Sequence, residues 1–207
     1  MDSVVEMRIE QFTCKRMRLI SGSAGGIPLE VPKSVTRPTQ DRVRQAVFSM
    51  LAEVIADARV LDLFAGSGAF GLECLSRGAK SAMLADQDRG ACEVIRRNAA
   101  KTRLQGVTVR QSDVFRLLEL LHGDGAVFDL VFADPPYKHK ASDTDFTARL
   151  LENTSLPGIV ADGGLLVLEA LDARTPPAHD PVVWELLADR TYGSTRVMCL
   201  RKRAAQG

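Results

Sequence analysis

The sequence predicts an α/β fold: a doubly wound, mostly parallel sheet of seven strands with helices on both faces. From residue 59 onward, nearly continuous apolar strand-like runs alternate with helix-like stretches, which is typical of a parallel sheet covered on both sides. A glycine-rich turn follows the first run. The C-terminal segment changes to two β-like runs joined at Tyr192 and Gly193, which predicts an antiparallel hairpin at one edge. At 207 residues, one main domain is expected.

The N-terminal segment is expected to form an arm ahead of that domain. Residues 17–38 mix short β-like runs with glycine and proline, which predicts a hairpin, the small N-terminal β arm of this fold. Thr39 is the predicted N-cap of a helix with apolar residues on one face, and Arg42 and Arg44 lie off that face, free to meet solvent or a ligand. We therefore expect a leader at 1–16, the arm at 17–38 and the main domain at 39–207.

In the main domain, predicted strands and predicted helices alternate along the chain. Its predicted strands are Arg59–Phe64, Ser81–Asp86, Val107–Gln111, Phe128–Ala133, Gly164–Glu169, Val182–Leu187 and Thr195–Lys202. Its predicted helices are Ala69–Arg77, Arg89–Arg103, Val114–Leu121 and one near Phe146–Asn153.

Composition excludes several classes of protein. Apolar residues make up 45% and charged residues 26% of the chain, the balance of a globular domain rather than a disordered or disulfide-rich chain. No apolar run is long enough to cross a membrane, and the N-terminus lacks the pattern of a secretory signal. Four scattered cysteines without a CxxC pair predict neither a disulfide nor a metal site. We expect a cytoplasmic monomer without metal.

The charge is unevenly distributed. The formal net charge is only +1, but residues 14–45 carry seven Lys or Arg against two acidic residues. A basic arm on a near-neutral body suits phosphate binding, although a merely solvated segment would have the same composition.

The turn after the first strand has the spacing of a nucleotide-binding loop. Gly66, Gly68 and Gly71 form GxGxxG between a strand and a helix, and Asp86 ends the next strand, placed to bind ribose hydroxyls. This makes the fold Rossmann-like, with NAD, FAD or S-adenosylmethionine as possible ligands. Asp62 beneath the loop would repel a pyrophosphate and attract a cationic amino-acid moiety, which favours S-adenosylmethionine.

A second motif, ADPPY, follows the most apolar strand. Pro135 and Pro136 remove two N–H donors and leave carbonyls, Asp134 adds an acceptor, and Tyr137 adds an aromatic face. Acceptors that bind both N–H bonds of a nucleobase amine can free its lone pair for attack on a methyl sulfonium, while the ring stacks on the base. A plain turn that ends the strand is the structural alternative.

These motifs resemble a known group. DLFAGSGAFG with ADPPY is similar to class I S-adenosylmethionine-dependent methyltransferases that modify exocyclic amines. MRLISG at 17–22, LEVP at 29–32 and RPTQDRVRQAVFSML at 37–51 resemble the RsmD family, bacterial enzymes that methylate guanine N2 in 16S ribosomal RNA. The resemblance spans about residues 17–202. Tyr137 stands where the family often has Phe, and Gly25–Pro28 where it commonly has basic residues.

The resemblance implies three sets of site residues. Its cofactor site corresponds to Asp62, Phe64, Ala65, Gly66, Ser67, Gly68, Asp86, Gln87, Ser112, Asp113 and Val114. Its catalytic tetrapeptide corresponds to Asp134, Pro135, Pro136 and Tyr137. Its contacts to the RNA correspond to Arg37, Thr39, Arg42 and Arg44. Lys138, directly after the tetrapeptide, is placed either to touch RNA phosphates or to lie in a solvated loop. Asp113 is also placed to cap the helix that follows it.

The expected function is therefore methylation of a guanine N2 amine, with 16S ribosomal RNA or the small ribosomal subunit as partner. A DNA adenine-N6 methyltransferase would share DPPY but not RPTQDRVR. An NAD-dependent oxidoreductase would share GxGxxG but would need a catalytic constellation that the sequence does not offer. An RNA-binding protein without catalysis would not require both motifs.

Overall fold

A computed structural model describes residues 17–32, 41–137, 143–171 and 176–204. The strands are β1 (Arg59–Leu63), β2 (Ser81–Asp86), β3 (Val107–Gln111), β4 (Phe128–Ala133), β5 (Val160–Leu171), β6 (Trp184–Tyr192) and β7 (Thr195–Lys202). They form one sheet in the order β3-β2-β1-β4-β5-β7-β6. The strands from β3 to β5 pair in parallel, and β7 pairs antiparallel with both β5 and β6. The predicted fold class, including the antiparallel edge hairpin, is confirmed.

Helices cover both faces of this sheet. They are α1 (Asp41–Met50), α2 (Ala69–Ser76), α3 (Arg89–Thr102), α4 (Val114–Gly123), α5 (Phe146–Leu151) and α6 (Ser155–Ile159). Because successive strand residues point to opposite faces, Val60 packs in one core with α1, α2 and α3, whereas Leu61 packs in a second core with α4, α5 and α6. This two-sided burial explains why the parallel strands are apolar almost throughout.

Residues 17–32 form the expected hairpin. Arg18 pairs antiparallel with Pro28, and Leu29 N donates to the Met17 carbonyl at 2.8 Å. Leu19 is fully buried in the same core as α1 and α2. The hairpin therefore packs on the domain, while the expected boundaries of the leader and arm stay predictions.

Some element bounds differ from the expectation. Helix α6 was not expected, because Pro157 and Gly158 within it disfavour a helix by propensity. Strand β5 begins at Val160 rather than Gly164. Strand β6 begins at Trp184 because Asp180 accepts hydrogen bonds from the N–H groups of Val182 and Trp184 in a preceding turn.

The expectation that Arg44 faces solvent or a ligand is wrong. Its side chain is fully buried, and Nη2 donates to the Arg18 carbonyl at 2.8 Å and to Asp41 Oδ1 at 2.6 Å. The hairpin covers this side of α1, so a residue off the apolar stripe is nevertheless enclosed. Arg42, two residues earlier, is exposed as expected.

Candidate active site

Four strands end at one edge of the sheet and bring the predicted motifs together. Leu63 pairs with Ala85 on one side and with Ala133 on the other, and Asp86 pairs with Gln111. The segments that follow β1, β2, β3 and β4 therefore emerge side by side. This carboxyl edge is where doubly wound sheets bind ligands.

The segment after β1 is a loop with a left-handed backbone. Phe64, Gly66 and Gly68 have φ angles of 59°, 53° and 78°. A Cβ on Gly68 would lie 2.8 Å from Leu84 Cδ2, so this position requires glycine both for its φ angle and for its space. Phe64 holds the same unfavourable conformation without being glycine, which is typical of constrained functional loops. The loop ends at the N-terminus of α2.

Asp62 lies directly beneath this loop. Its Oδ2 accepts a hydrogen bond from Gly71 N at 3.0 Å, which ties β1 to the first turn of α2. Burial raises the pKa of Asp62 to about 7; the Gly71 bond opposes this rise, and the charge of Asp86 adds to it. The carboxyl group is thus poised between its neutral and charged forms at neutral pH.

Asp86, at the end of β2, organises the neighbouring backbone. Its Oδ2 accepts from Gly66 N and its Oδ1 from Asp88 N, each at 2.9 Å. Ser112 N donates to the Asp86 carbonyl at 3.0 Å, which joins the third segment to this corner. Asp86 therefore lies directly against the glycine loop, as the twenty-residue spacing predicts.

The remaining predicted cofactor residues surround this corner. Gln87 is exposed, whereas Ala65, Ser67 and Val114 are buried. Asp113 caps α4, with Oδ1 accepting from Arg116 N at 3.0 Å. The capping role expected as one possibility for Asp113 is confirmed, and its expected contact with an adenine stays a prediction.

The tetrapeptide after β4 lies beside the loop. Asp134 and Tyr137 are half-buried, Pro135 is buried and Pro136 is exposed. The Tyr137 hydroxyl donates to Glu169 Oε1 at 2.8 Å and lies 3.3 Å from Thr195 Oγ1. Burial and the negative charge of Glu169 raise the pKa of Tyr137 above its ordinary value, so the phenol remains protonated at neutral pH.

An apolar recess adjoins the tetrapeptide. Phe70 and Phe132 stack with ring centroids 5.0 Å apart, and Asp134 and Glu169 line the same space. The other lining residues are Val47, Ala133, Val167 and Val197. Sequence reasoning missed Glu169, although an acidic residue near the carboxyl end of an apolar strand is a usable signal for a ligand-facing position.

Asn98 was also missed, and it connects the hairpin to the glycine loop. Its Nδ2 donates to the carbonyls of Glu30 and Ser67, both at 2.9 Å, and its Oδ1 accepts from Glu30 N at 2.8 Å. Asn98 is fully buried in α3. A polar residue within the buried stripe of a helix was the available signal.

Only two of the five expected RNA-contacting residues lie within the described residues. Arg42 is exposed on α1, and Arg44 is enclosed as described above. Arg37, Thr39 and Lys138 lie outside the described residues. Across the described ranges, no three His, Cys, Asp or Glu side chains are grouped so as to hold a metal ion. Within the same ranges, none of the helices is both long and apolar enough for a membrane span.

Comparison with known proteins gives consistent relatives. A family model described as Conserved hypothetical protein 95 matches residues 17–201. Ribosomal RNA small subunit methyltransferase D of Escherichia coli is 37% identical over 193 residues, covering 93% of this chain and 92% of the relative. The solved structure of a hypothetical protein from Thermus thermophilus superposes with a TM-score of 0.71 at 33% identity, covering 88% and 98% of the two chains.

A more distant neighbour shares the fold alone. The 16S rRNA N2 G1207 methyltransferase of Thermus thermophilus, solved with AdoMet and guanosine, has a TM-score of 0.60 at 19% identity. The match covers 83% of this chain and 45% of that one. This likeness shows that the two proteins share a fold.

Proposed function

Because the chain belongs to the RsmD family, whose family model is described as Conserved hypothetical protein 95, we propose that it is an S-adenosylmethionine-dependent methyltransferase of small-subunit ribosomal RNA. We further propose the exocyclic N2 amine of a guanine as the acceptor, as the resemblance to this family implies. One observation carries the proposal: the glycine loop and the Asp134–Tyr137 tetrapeptide emerge side by side at the carboxyl edge of the sheet.

The glycine loop fits the proposed cofactor. The left-handed backbone at Gly66 and Gly68 lets the chain approach a ligand closely, and Asp62 beneath the loop supplies negative charge for a cationic amino-acid moiety. Asp86 offers acceptor oxygens for ribose hydroxyls at the end of β2. Asp113 is the proposed acceptor for an adenine amine. When bound, S-adenosylmethionine would supply a methyl group on a positively charged sulfur, an electrophile that needs no metal activation.

The tetrapeptide fits the proposed acceptor. The lone pair of a nucleobase amine is conjugated with the ring, so the nitrogen is a weak nucleophile. The Asp134 carboxylate and the Pro135 carbonyl can accept hydrogen bonds from its two N–H groups. These bonds would take the nitrogen lone pair out of conjugation with the ring. With S-adenosylmethionine bound, this nitrogen would accept the methyl group, the sulfur would keep the electron pair of the methyl–sulfur bond, and the extra proton on nitrogen would leave to solvent. Tyr137 would stack on the base and hold it out of its helix.

Contacts to the RNA are proposed for four residues of the family motif and of the segment after the tetrapeptide. Arg42 is exposed on α1, the helix whose Val47 lines the recess beside Asp134. Arg37, Thr39 and Lys138 join it in the proposal by their positions in the family motif and after the tetrapeptide. Arg44 is left out because its guanidinium holds the hairpin.

Asp134→Ala tests the proposed chemistry. We expect about a 100-fold or greater loss of methyl transfer to small ribosomal subunits, because one preorganised polar contact to the reacting group is removed. Cofactor affinity, measured by calorimetry, should stay within a few-fold of the wild-type value. Asp124→Ala, an exposed aspartate after α4, is the matched control and should retain activity. Unchanged turnover of Asp134→Ala would contradict the role given to the tetrapeptide.

A further inference from the structure

Glu169 occupies a position that the function proposed so far does not use. In the register of the sheet Ala133 pairs with Leu168, so the next residues along the two strands are Asp134 and Glu169. Glu169 is only 7% exposed and lies on the same face as Phe132 and Val167. Both carboxylates therefore line the recess beside the tetrapeptide.

A carboxylate in such a place needs hydrogen-bond donors, because burial of an unmatched charge is costly. Tyr137 provides one at 2.8 Å. An ionised carboxylate has about four acceptor positions, so Glu169 can accept from a bound base while it accepts from Tyr137. The stacked rings of Phe70 and Phe132 form an apolar wall beside it. Apolar rings offer no hydrogen bond to a mismatched partner, so a base that lacks the matching donor gains no compensation from this wall.

We propose that Glu169 selects the base by accepting a hydrogen bond from N1–H of guanine while Asp134 holds the adjacent N2 amine. In both guanine and adenine the exocyclic amine is attached next to ring atom N1. Guanine N1 carries a hydrogen, whereas adenine N1 carries a lone pair. The Glu169 carboxylate can therefore accept a hydrogen bond from guanine N1, whereas it would repel the lone pair on adenine N1. This inference rests on the proposed function and adds the residue that determines base specificity.

The test uses 2,6-diaminopurine, which has the N2 amine of guanine but an unprotonated N1. The modified guanine is first located with wild-type protein on undermethylated small subunits. Subunits are then reconstituted from ligated 16S RNA with guanine or 2,6-diaminopurine at that position. The measured quantity is the ratio of kcat/KM for the two bases. A site that requires a hydrogen-bond donor rejects an analogue lacking it strongly, so we expect the wild-type protein to favour guanine by about 100-fold or more.

Two variants separate base selection from support of Tyr137. In Glu169→Gln the amide can donate to the unprotonated N1. We therefore expect slower guanine methylation and a ratio reduced to within about 10-fold. Tyr137→Phe removes the hydroxyl that Glu169 binds but leaves the carboxylate, and we expect the wild-type ratio. Because each ratio compares two substrates of one protein, a smaller folded fraction does not alter it.

Three results would overturn the inference. They are equal methylation of the two bases by the wild-type protein, a wild-type ratio in Glu169→Gln, and a collapsed ratio in Tyr137→Phe. The first result is measured on the wild-type protein, so the inference can be tested even if the Glu169→Gln protein fails to fold. Failure of wild-type protein to methylate guanine in unmodified subunits would refute the proposed function itself, a distinct outcome.

Discussion

Asp62 shows how a single side chain acquires a functional environment from its place in the sheet. It lies one residue before the end of β1, buried beneath the glycine loop, and burial raises its pKa to about 7. Below this pH the group is neutral and cannot attract a cation, and above it the carboxylate carries its charge. Cofactor affinity should therefore depend on the pH of the solution.

We expect cofactor affinity to increase as the pH rises from 6 to 8, by up to about 10-fold for each unit below the pKa of Asp62. Asp62→Asn keeps the acceptor for Gly71 but cannot ionise, so its affinity should follow only the titration of the ligand's own amine. Calorimetric titrations of both proteins across this range provide the comparison. Identical pH profiles would contradict a cation-binding role for Asp62.

The residues of the candidate site differ in how far the sequence could reveal them. Asp62, Asp86 and Asp134 each lie within one residue of the end of an apolar strand, and strand ends can be recognised from periodicity and spacing. The burial of Arg44 could not be predicted from the sequence, because Arg44 is enclosed by the hairpin and donates to the Arg18 carbonyl, 26 residues earlier in the chain. Helical periodicity describes one helix and contains no information about what packs on its polar side.

At the scale of elements, one buried carboxylate helps to fasten the hairpin to α2, beside the hydrogen bonds that the hairpin makes with Ser76. Glu73 accepts hydrogen bonds from Ile20 N at 2.6 Å and Ser21 N at 3.0 Å, and it pairs with Arg77. Its side chain has no exposed surface. The hairpin, which Asn98 links to the glycine loop, thus depends on α2 for its position.

Glu73→Gln should destabilise the protein by about 3 kcal/mol, because the amide leaves buried donors and Arg77 without a matching charge. Glu93 forms a similar i,i+4 pair with Arg89 on α3, but both side chains are largely exposed. Glu93→Gln should therefore change the unfolding free energy by less than about 0.5 kcal/mol. Urea unfolding of both variants measures the difference. Similar small effects would show that the buried pair does not hold the hairpin.

Elements were more predictable than their contacts. Strands β2, β3, β4 and β7 have the bounds that the strand-like runs of the sequence predict. Helix α6 was missed because tertiary packing of Leu156 and Ile159 overrides the low helix propensity of Pro157 and Gly158. Short segments of this kind are stabilised by neighbours that are distant in sequence, which local patterns do not record.

At the scale of the whole molecule, the proposed binding of RNA must be explained for a nearly neutral protein. The net charge is +1, so long-range attraction alone would not concentrate the protein on RNA. We therefore propose that local basic residues such as Arg42 supply the phosphate contacts. Their contribution can be measured as the dependence of RNA affinity on salt concentration.

Arg42→Ala should weaken RNA binding and reduce the slope of log affinity against log salt by about 0.7 to 0.9, the value of one lost phosphate contact. Lys101, exposed in the last turn of α3, is the matched control. Helix α3 begins directly after β2 and leads away from the binding edge, so Lys101→Ala should leave the slope unchanged. An equal effect of both substitutions would indicate a general charge effect rather than a defined contact.

The identity of the methylated nucleoside tests the central claim most directly. Wild-type protein with labelled S-adenosylmethionine would be supplied with undermethylated small ribosomal subunits, naked 16S RNA and duplex DNA, followed by nucleoside analysis of each product. We expect label in N2-methylguanosine from the RNA substrates and none in DNA. Label in N6-methyladenine of DNA, or no transfer to any substrate, would contradict the function proposed here.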